Sequence, residues 1–168
     1  MLFRPEREGF AKGWDIARVR FSQREIFPSS SDAGGVTFHL EEELARPVTD
    51  WLEDDGFAVR REIPILGRRA DLVGSRDDAV AAVEMKMTNW REALRQAIAY
   101  QLAADRAWVA MPLAAACRAY RNRWQFEAQR VGLLAIDDGG KIRTPIPAGA
   151  SPRLLPFLQR RIIESCGP

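Results

Sequence analysis

Three residues of this 168-residue chain have the types and the spacing for chemistry with a hard cation: Asp71, Glu84 and Lys86. The segment AVAAVEMKM (79–87) has the composition of a strand buried on both faces. In an extended backbone Val83, Met85 and Met87 point one way and Ala82, Glu84 and Lys86 the other. Glu84 and Lys86 then project together, ~7 Å apart. Two charges on such a strand are costly unless each is paired or meets an ion. A plain ion pair at the solvent end of a sheet would satisfy that. Asp71 adds a second carboxylate, isolated among Ala70, Leu72 and Val73 on the preceding strand, and a short turn at 75–78 brings it near Glu84. Carboxylates brought together repel unless a cation lies between them. Oxygen ligands completed by water describe Mg²⁺ or Mn²⁺. Lys86 beside them would orient or deprotonate a water, or neutralise a phosphoryl oxygen.

The elements that must position these residues follow from hydropathy period and turn chemistry. Leu40, Leu44, Val48, Trp51 and Leu52 share a helical face, so a helix is expected over about residues 38–54, kinked at Pro47 and ended by Gly56. Strands are expected at 57–65, 68–74 and 79–87, with turns at Leu66–Gly67 and Ser75–Asp78. Thr88 or Asn89 caps a helix reaching about residue 104. A strand at 106–111 precedes one long helix from Pro112 to about residue 130. A strand at 132–137 turns through Asp138-Gly139-Gly140 into Lys141–Thr144, residues 145–152 are loop, and a terminal helix covers about residues 153–165. The first three strands can form a meander and the later ones need crossovers. The fold class expected is α/β, a central mixed sheet flanked by helices on both faces.

Asp71, twelve residues, then Glu84-Met85-Lys86, after an acidic helix, resembles the PD-(D/E)xK nuclease superfamily of restriction-endonuclease-like proteins. The likeness covers roughly residues 37–137. That family's three-layer core has the order αβββαβ, the same order of elements expected for this chain. Ala70 stands where the family's name has Pro. The resemblance implies metal-dependent hydrolysis of phosphodiester bonds in DNA, in repair, recombination or defence. It implies that Asp71, Glu84 and the backbone carbonyl of Met85 hold Mg²⁺ or Mn²⁺ and that Lys86 positions the attacking water. Members also often use a glutamate of the first helix. Among Glu41, Glu42 and Glu43 the helical wheel favours Glu41, nearest the apolar stripe, while Glu42 and Glu43 read as solvated charges favoured by the helix dipole. Gln96 through Tyr100 matches the Q-x-x-x-Y of RecB-type nucleases, which would bring Gln96 to the metal or the phosphate, and Tyr100 reads equally as core.

Composition bounds the alternatives. Two cysteines, Cys117 and Cys166, and one histidine, His39, cannot build a four-ligand zinc site or a disulfide framework. A reducing cytoplasm is therefore the expected location. No stretch approaches a membrane span and the charged N-terminus does not read as a signal peptide. The 25 basic and 23 acidic residues nearly cancel, but they are segregated. Arginine-rich segments include Arg68 and Arg69, and Arg118 and Arg121 with Tyr120 and Trp124 nearby, which suit phosphate forks and base stacking. DNA is the expected partner, and with nothing reading the 2′-hydroxyl, RNA stays open. Residues 1–36 read as an N-terminal arm and linker that packs on the core or on a second copy, so a homodimer through the arm is expected. Residues 37–168 are expected to form the PD-(D/E)xK nuclease-like domain that the resemblance implies. The competing class is a noncatalytic nucleic-acid-binding or complex-assembly subunit that keeps the nuclease fold.

Overall fold

The computed structural model describes residues 37–166. The arm and linker expected over residues 1–36, and any dimer contact made by them, lie outside the described residues. Within them the chain is an α/β fold, a six-stranded mixed sheet with five α-helices. No helix among the described residues is long and apolar enough to cross a membrane.

A 3₁₀ turn, Glu41–Leu44, leads into α1 (Ala45–Asp54). The single kinked helix expected over 38–54 is thus two pieces. Pro47 lies in the first turn of α1, where its missing N–H has no partner to lose. Gly56, at φ +82, ends the helix as a left-handed cap.

Three strands follow, β1 (Ala58–Ile65), β2 (Arg68–Arg76) and β3 (Ala79–Met85), paired antiparallel. Leu66 and Gly67, both at positive φ, make the two-residue hairpin between β1 and β2. β3 is buried along its whole length, as a central strand should be. It ends two residues earlier than expected, at the last pair of its parallel ladder with the strand that follows, Met85↔Ala110, the ladder with β2 having already stopped at Leu72↔Val83.

α2 (Trp90–Tyr100) starts at Asn89, whose side chain accepts the Glu92 N–H. It returns the chain to β4 (Arg106–Pro112), which lies parallel to β3. The long helix expected next is broken into α3 (Leu113–Tyr120) and α4 (Arg123–Gln129). Asn122 leaves helical geometry at φ −112, ψ 26, as a residue whose short amide competes with the helix backbone can. Arg130, at φ 57, closes α4 where a glycine would be usual.

β5 (Gly132–Ile136) is parallel to β4, and β6 (Ile142–Ile146) is antiparallel to β5. β6 contains Pro145, tolerated because β6 is an edge strand. α5 (Pro156–Cys166) closes the described chain.

The strands stand in sequence order, β1 to β6. α1 covers one face, packing Leu44, Val48 and Leu52 on Leu72, Val83, Trp108 and Leu134. α2, α3 and α4 cover the other face over β4 and β5, and α5 joins α2 there over β2 and β3. Where β5 passes Trp108 there is no room for a side chain. A Cβ at Gly132 would stand 2.0 Å from Trp108 Cε3 and 2.8 Å from the Ala148 nitrogen. A Gly132→Ala protein should therefore lose about 3 kcal/mol of stability through overpacking, read as a lowered urea midpoint with unchanged slope.

Candidate active site

Asp71 lies where two ladders each drop a rung. Pairing between β1 and β2 runs through Arg61↔Leu72 and resumes at Ile63↔Ala70, passing over the position where Glu62 faces Asp71. On the other side the β2–β3 ladder ends at Leu72↔Val83, one step before Asp71 would meet Glu84. Backbone torsion accompanies the gap, for Glu62 has φ 54, a strained conformation for a non-glycine residue.

The Asp71 side chain replaces the lost backbone bond. Its Oδ2 accepts the Met85 N–H at 2.7 Å. Because N–H and C=O of one strand residue point to the same edge, the Met85 carbonyl also faces β2. Lys86 N donates instead to Ala110 O on β4, at 3.1 Å.

Glu84 is 1% exposed. Its Oε2 is 2.6 Å from the Tyr100 hydroxyl of α2, and its Oε1 is 3.5 Å from Lys86 Nζ. The Tyr100 hydroxyl also lies 2.9 Å from the Arg69 carbonyl. One hydroxyl proton cannot serve both acceptors. The shorter contact marks the Glu84 carboxylate as the acceptor, and donation there favours its ionised form. Burial pushes the Glu84 carboxyl up to about 7, opposed by the Tyr100 hydrogen bond and reinforced by the Asp71 charge. Asp71 is also raised, first by burial, with Glu41 and Glu62 adding to it and the Met85 N–H and Lys86 opposing. Burial works against the Lys86 charge, but Glu84, Glu41 and Asp71 outweigh it and hold Lys86 protonated above its ordinary range.

The three glutamates before α1 divide cleanly. Glu41 Oε2 reaches Lys86 Nζ at 3.5 Å. Glu42 pairs with Arg61 on the exposed surface. Glu43 accepts the N–H groups of His39 and Leu40 and so caps its own turn. Asp71, Glu84, Lys86 and Glu41 are thus brought together from β2, β3, the end of β3 and the 3₁₀ turn.

Gln96 lies one turn before Tyr100 on the same side of α2. Its Oε1 is buried without a hydrogen-bond partner among the described residues, and no bond ties it to the cluster. Arg68 and Arg69 begin β2 on the exposed surface. The Arg68 charge is felt at Tyr100, and Arg69 pairs with Glu62 at 3.4 Å. Arg118 is in the last turn of α3 and Arg121 follows it, both exposed. That end of α3 is the one away from the end of β4, and among the described residues no hydrogen bond or ion pair links either arginine to the cluster.

Sequence reasoning missed two contributors. Glu62 reads there as an ordinary strand residue, and only the register reveals that it faces Asp71. Tyr100 reads there equally as core, although its spacing from Gln96 is a signal. A Tyr100→Phe protein should lose about 1–2 kcal/mol of stability. The Glu84 carboxyl, deprived of the hydrogen bond that lowers it, should titrate at still higher pH, observable by carboxyl carbon NMR of the labelled protein.

No protein-family model matches the chain, and no curated protein matches it. Among the solved structures that match it are these two. One is SPO1766, a protein of unknown function from Silicibacter pomeroyi, at 21% identity over 77% of this chain and 84% of that one, with a TM-score of 0.58. The other is SfsA from Pyrococcus furiosus, solved in complex with Ca²⁺, at 13% identity over 70% of this chain and 68% of that one, with a TM-score of 0.42. The first is a likeness of fold alone, and the second is too distant to bear an argument.

A hard cation suits the donors at this site in one arrangement only. Among the described residues no group of three or more His, Cys, Asp or Glu side chains is arranged to hold a metal ion. Two carboxylates, a strand carbonyl and water remain, which is a donor set that Mg²⁺ accepts because it keeps several waters and needs few protein ligands. The three-carboxylate version, with Glu41 as a ligand, has no counterpart here, because the Glu41 carboxylate is turned to Lys86.

Proposed function

We propose that this protein is a metal-dependent nuclease of the PD-(D/E)xK type, with the restriction-endonuclease-like three-layer fold, and that it hydrolyses phosphodiester bonds of DNA with Mg²⁺ or Mn²⁺. The observation that carries this reading is the dropped rung between β2 and β3. It sets the Asp71 and Glu84 carboxylates beside the Met85 backbone and a protonated Lys86, at the end of a strand that is otherwise apolar. Burial pushes both carboxyls towards their neutral forms, reinforced at Glu84 by the Asp71 charge and at Asp71 by Glu41 and Glu62. A divalent ion between them would relieve both.

Asp71, Glu84 and the Met85 carbonyl would hold the cation, which when bound supplies charge to polarise the phosphate and to make a water more acidic. Lys86, kept as an ammonium, donates hydrogen bonds to that water and to a phosphoryl oxygen. Glu41 steadies the Lys86 side chain from the far side and acts through it. Tyr100 fixes the Glu84 carboxyl against α2. Arg68, at the exposed start of β2, offers a fork for an incoming phosphate.

The test is cleavage. Purified full-length protein should cut single-stranded, duplex or branched DNA when Mg²⁺ or Mn²⁺ is added and should stop when it is chelated, with an RNA oligonucleotide run alongside to settle the sugar. A second reading, a noncatalytic nucleic-acid-binding or assembly subunit, draws support from the way Lys86 bridges Glu84 and Glu41 as an ordinary ion-pair network would. Metal-independent binding with no cutting of any of these substrates would favour it.

A further inference from the structure

On the flank of α2 away from Gln96 and Tyr100, α2 and α4 enclose an open groove of about 490 Å³. Arg91 and Arg95, four residues apart, line one wall, and Trp124 and Gln125 from α4 line the other, over a floor that includes Leu94 and Ile98. Trp124 is 65% exposed, unusual for an indole with no core to fill. Arg91 is held over the Trp90 ring at 4.3 Å. Among the described residues no carboxylate pairs with Arg91 or Arg95. Arg153 brings a third guanidinium to the other, C-terminal end of α4, through its bond to Oε1 of the groove-lining Gln129 at 2.7 Å.

The groove therefore offers cations without counter-charges, an exposed aromatic face and side-chain amides over an apolar floor. A protein partner of apolar character would leave the arginines uncompensated. A duplex would satisfy them but hide its base faces from Trp124. The combination matches an unpaired nucleic-acid strand, in which bases stack on an aromatic ring and phosphates meet arginine.

We infer that the α2–α4 groove binds single-stranded nucleic acid, with a base stacked on Trp124 and phosphates on Arg91 and Arg95. This deepens the nuclease reading by giving its substrate an unpaired stretch. α2 separates the groove from the Asp71–Glu84 cluster by about one helix diameter, ~10 Å, so the groove would hold strand outside the bonds that are cut.

Binding of fluorescein-labelled oligothymidylate to the full-length protein, measured by anisotropy with chelator present, separates binding from cleavage. Trp124→Ala should weaken the single strand about tenfold and leave a duplex of equal length nearly unaffected. Because Trp124 is exposed, the melting temperature should not move. Arg91→Ala with Arg95→Ala should flatten the salt dependence by about 1.4 in the log–log slope, ~0.7 for each phosphate no longer neutralised. Single-strand affinity that ignores Trp124→Ala, a loss falling equally on duplex, or no single-strand binding by the native protein would each overturn the groove. The nuclease reading is judged separately: a native protein that binds through Trp124 and never cuts keeps the groove and loses the nuclease, while cutting with an indifferent Trp124→Ala does the reverse.

Discussion

A Lys86→Ala protein should fold and should cut DNA at least about a hundredfold more slowly than the native protein, because a preorganised donor in a buried site is worth ~3 kcal/mol to a developing charge. Lys86 Nζ stands 3.5 Å from both Glu84 and Glu41, and among the described residues no other cation pairs with these two carboxylates. Asp71→Ala should be as damaging by another route. It removes both a cation ligand and the acceptor of the Met85 N–H, so it should also loosen the end of β3. Asp71→Asn separates the two effects, since its amide oxygen still accepts the N–H while the charge is gone. Single-turnover cleavage with saturating Mg²⁺ reads the chemical step. Cutting that survives Asp71→Ala or Lys86→Ala would refute the assignment.

The second large effect is on stability. The Glu84 carboxyl has a folded-state pKa of about 7 against an ordinary 4.5, so the folded protein binds this proton more tightly than the unfolded chain. Between these values the native state holds more protons, and stability falls as pH rises. Asp71 is shifted the same way and adds to the trend. Lys86 is raised, so its contribution persists throughout that window and is lost only at far more alkaline pH. The cation-free protein should lose on the order of 3 kcal/mol between about pH 4.5 and pH 7. For a chain of this size that is a fall of about 6–12 °C in melting temperature. Mg²⁺ at millimolar concentration should restore most of it at pH 8 and little at pH 5, because the ion must displace the proton. Glu84→Gln should flatten the pH dependence while abolishing cutting. A melting temperature indifferent to pH across the window, or raised equally by Mg²⁺ at both pH values, would refute the coupling.

The parts of the site that sequence reveals are those encoded by local pattern. Glu84 and Lys86 are conspicuous because an apolar run makes any charge stand out. The Asp71–Glu84 approach follows from a short hairpin. Asn89, one of two cap candidates, follows from capping chemistry, while the contact of Glu41 with Lys86 is made by an exposed residue of a 3₁₀ turn, to which an α-helical wheel does not apply. Other features have no local signature. The break at Asn122 carries neither Gly nor Pro, and Arg130 takes the left-handed cap position that glycine usually marks. Arg118 and Arg121 stand apart from the cluster because α3 carries them away from the end of β4, and the charge count along the chain does not record helix direction.

By itself the sequence determined an α/β chain whose apolar strands and amphipathic helices alternate in a fixed order, and it determined which charges are misplaced on those strands. Periods of 2.0 and 3.6 residues are properties of the backbone and need no neighbours. Tertiary structure alone decided which groups share a proton or a counter-ion. Glu62 beside Asp71, Tyr100 between Glu84 and the Arg69 carbonyl, and Glu41 against Lys86 are meetings across separate elements. Their energies depend on distance and on the exclusion of water, quantities that exist only once the sheet has closed its register and α1 and α2 have covered its two faces.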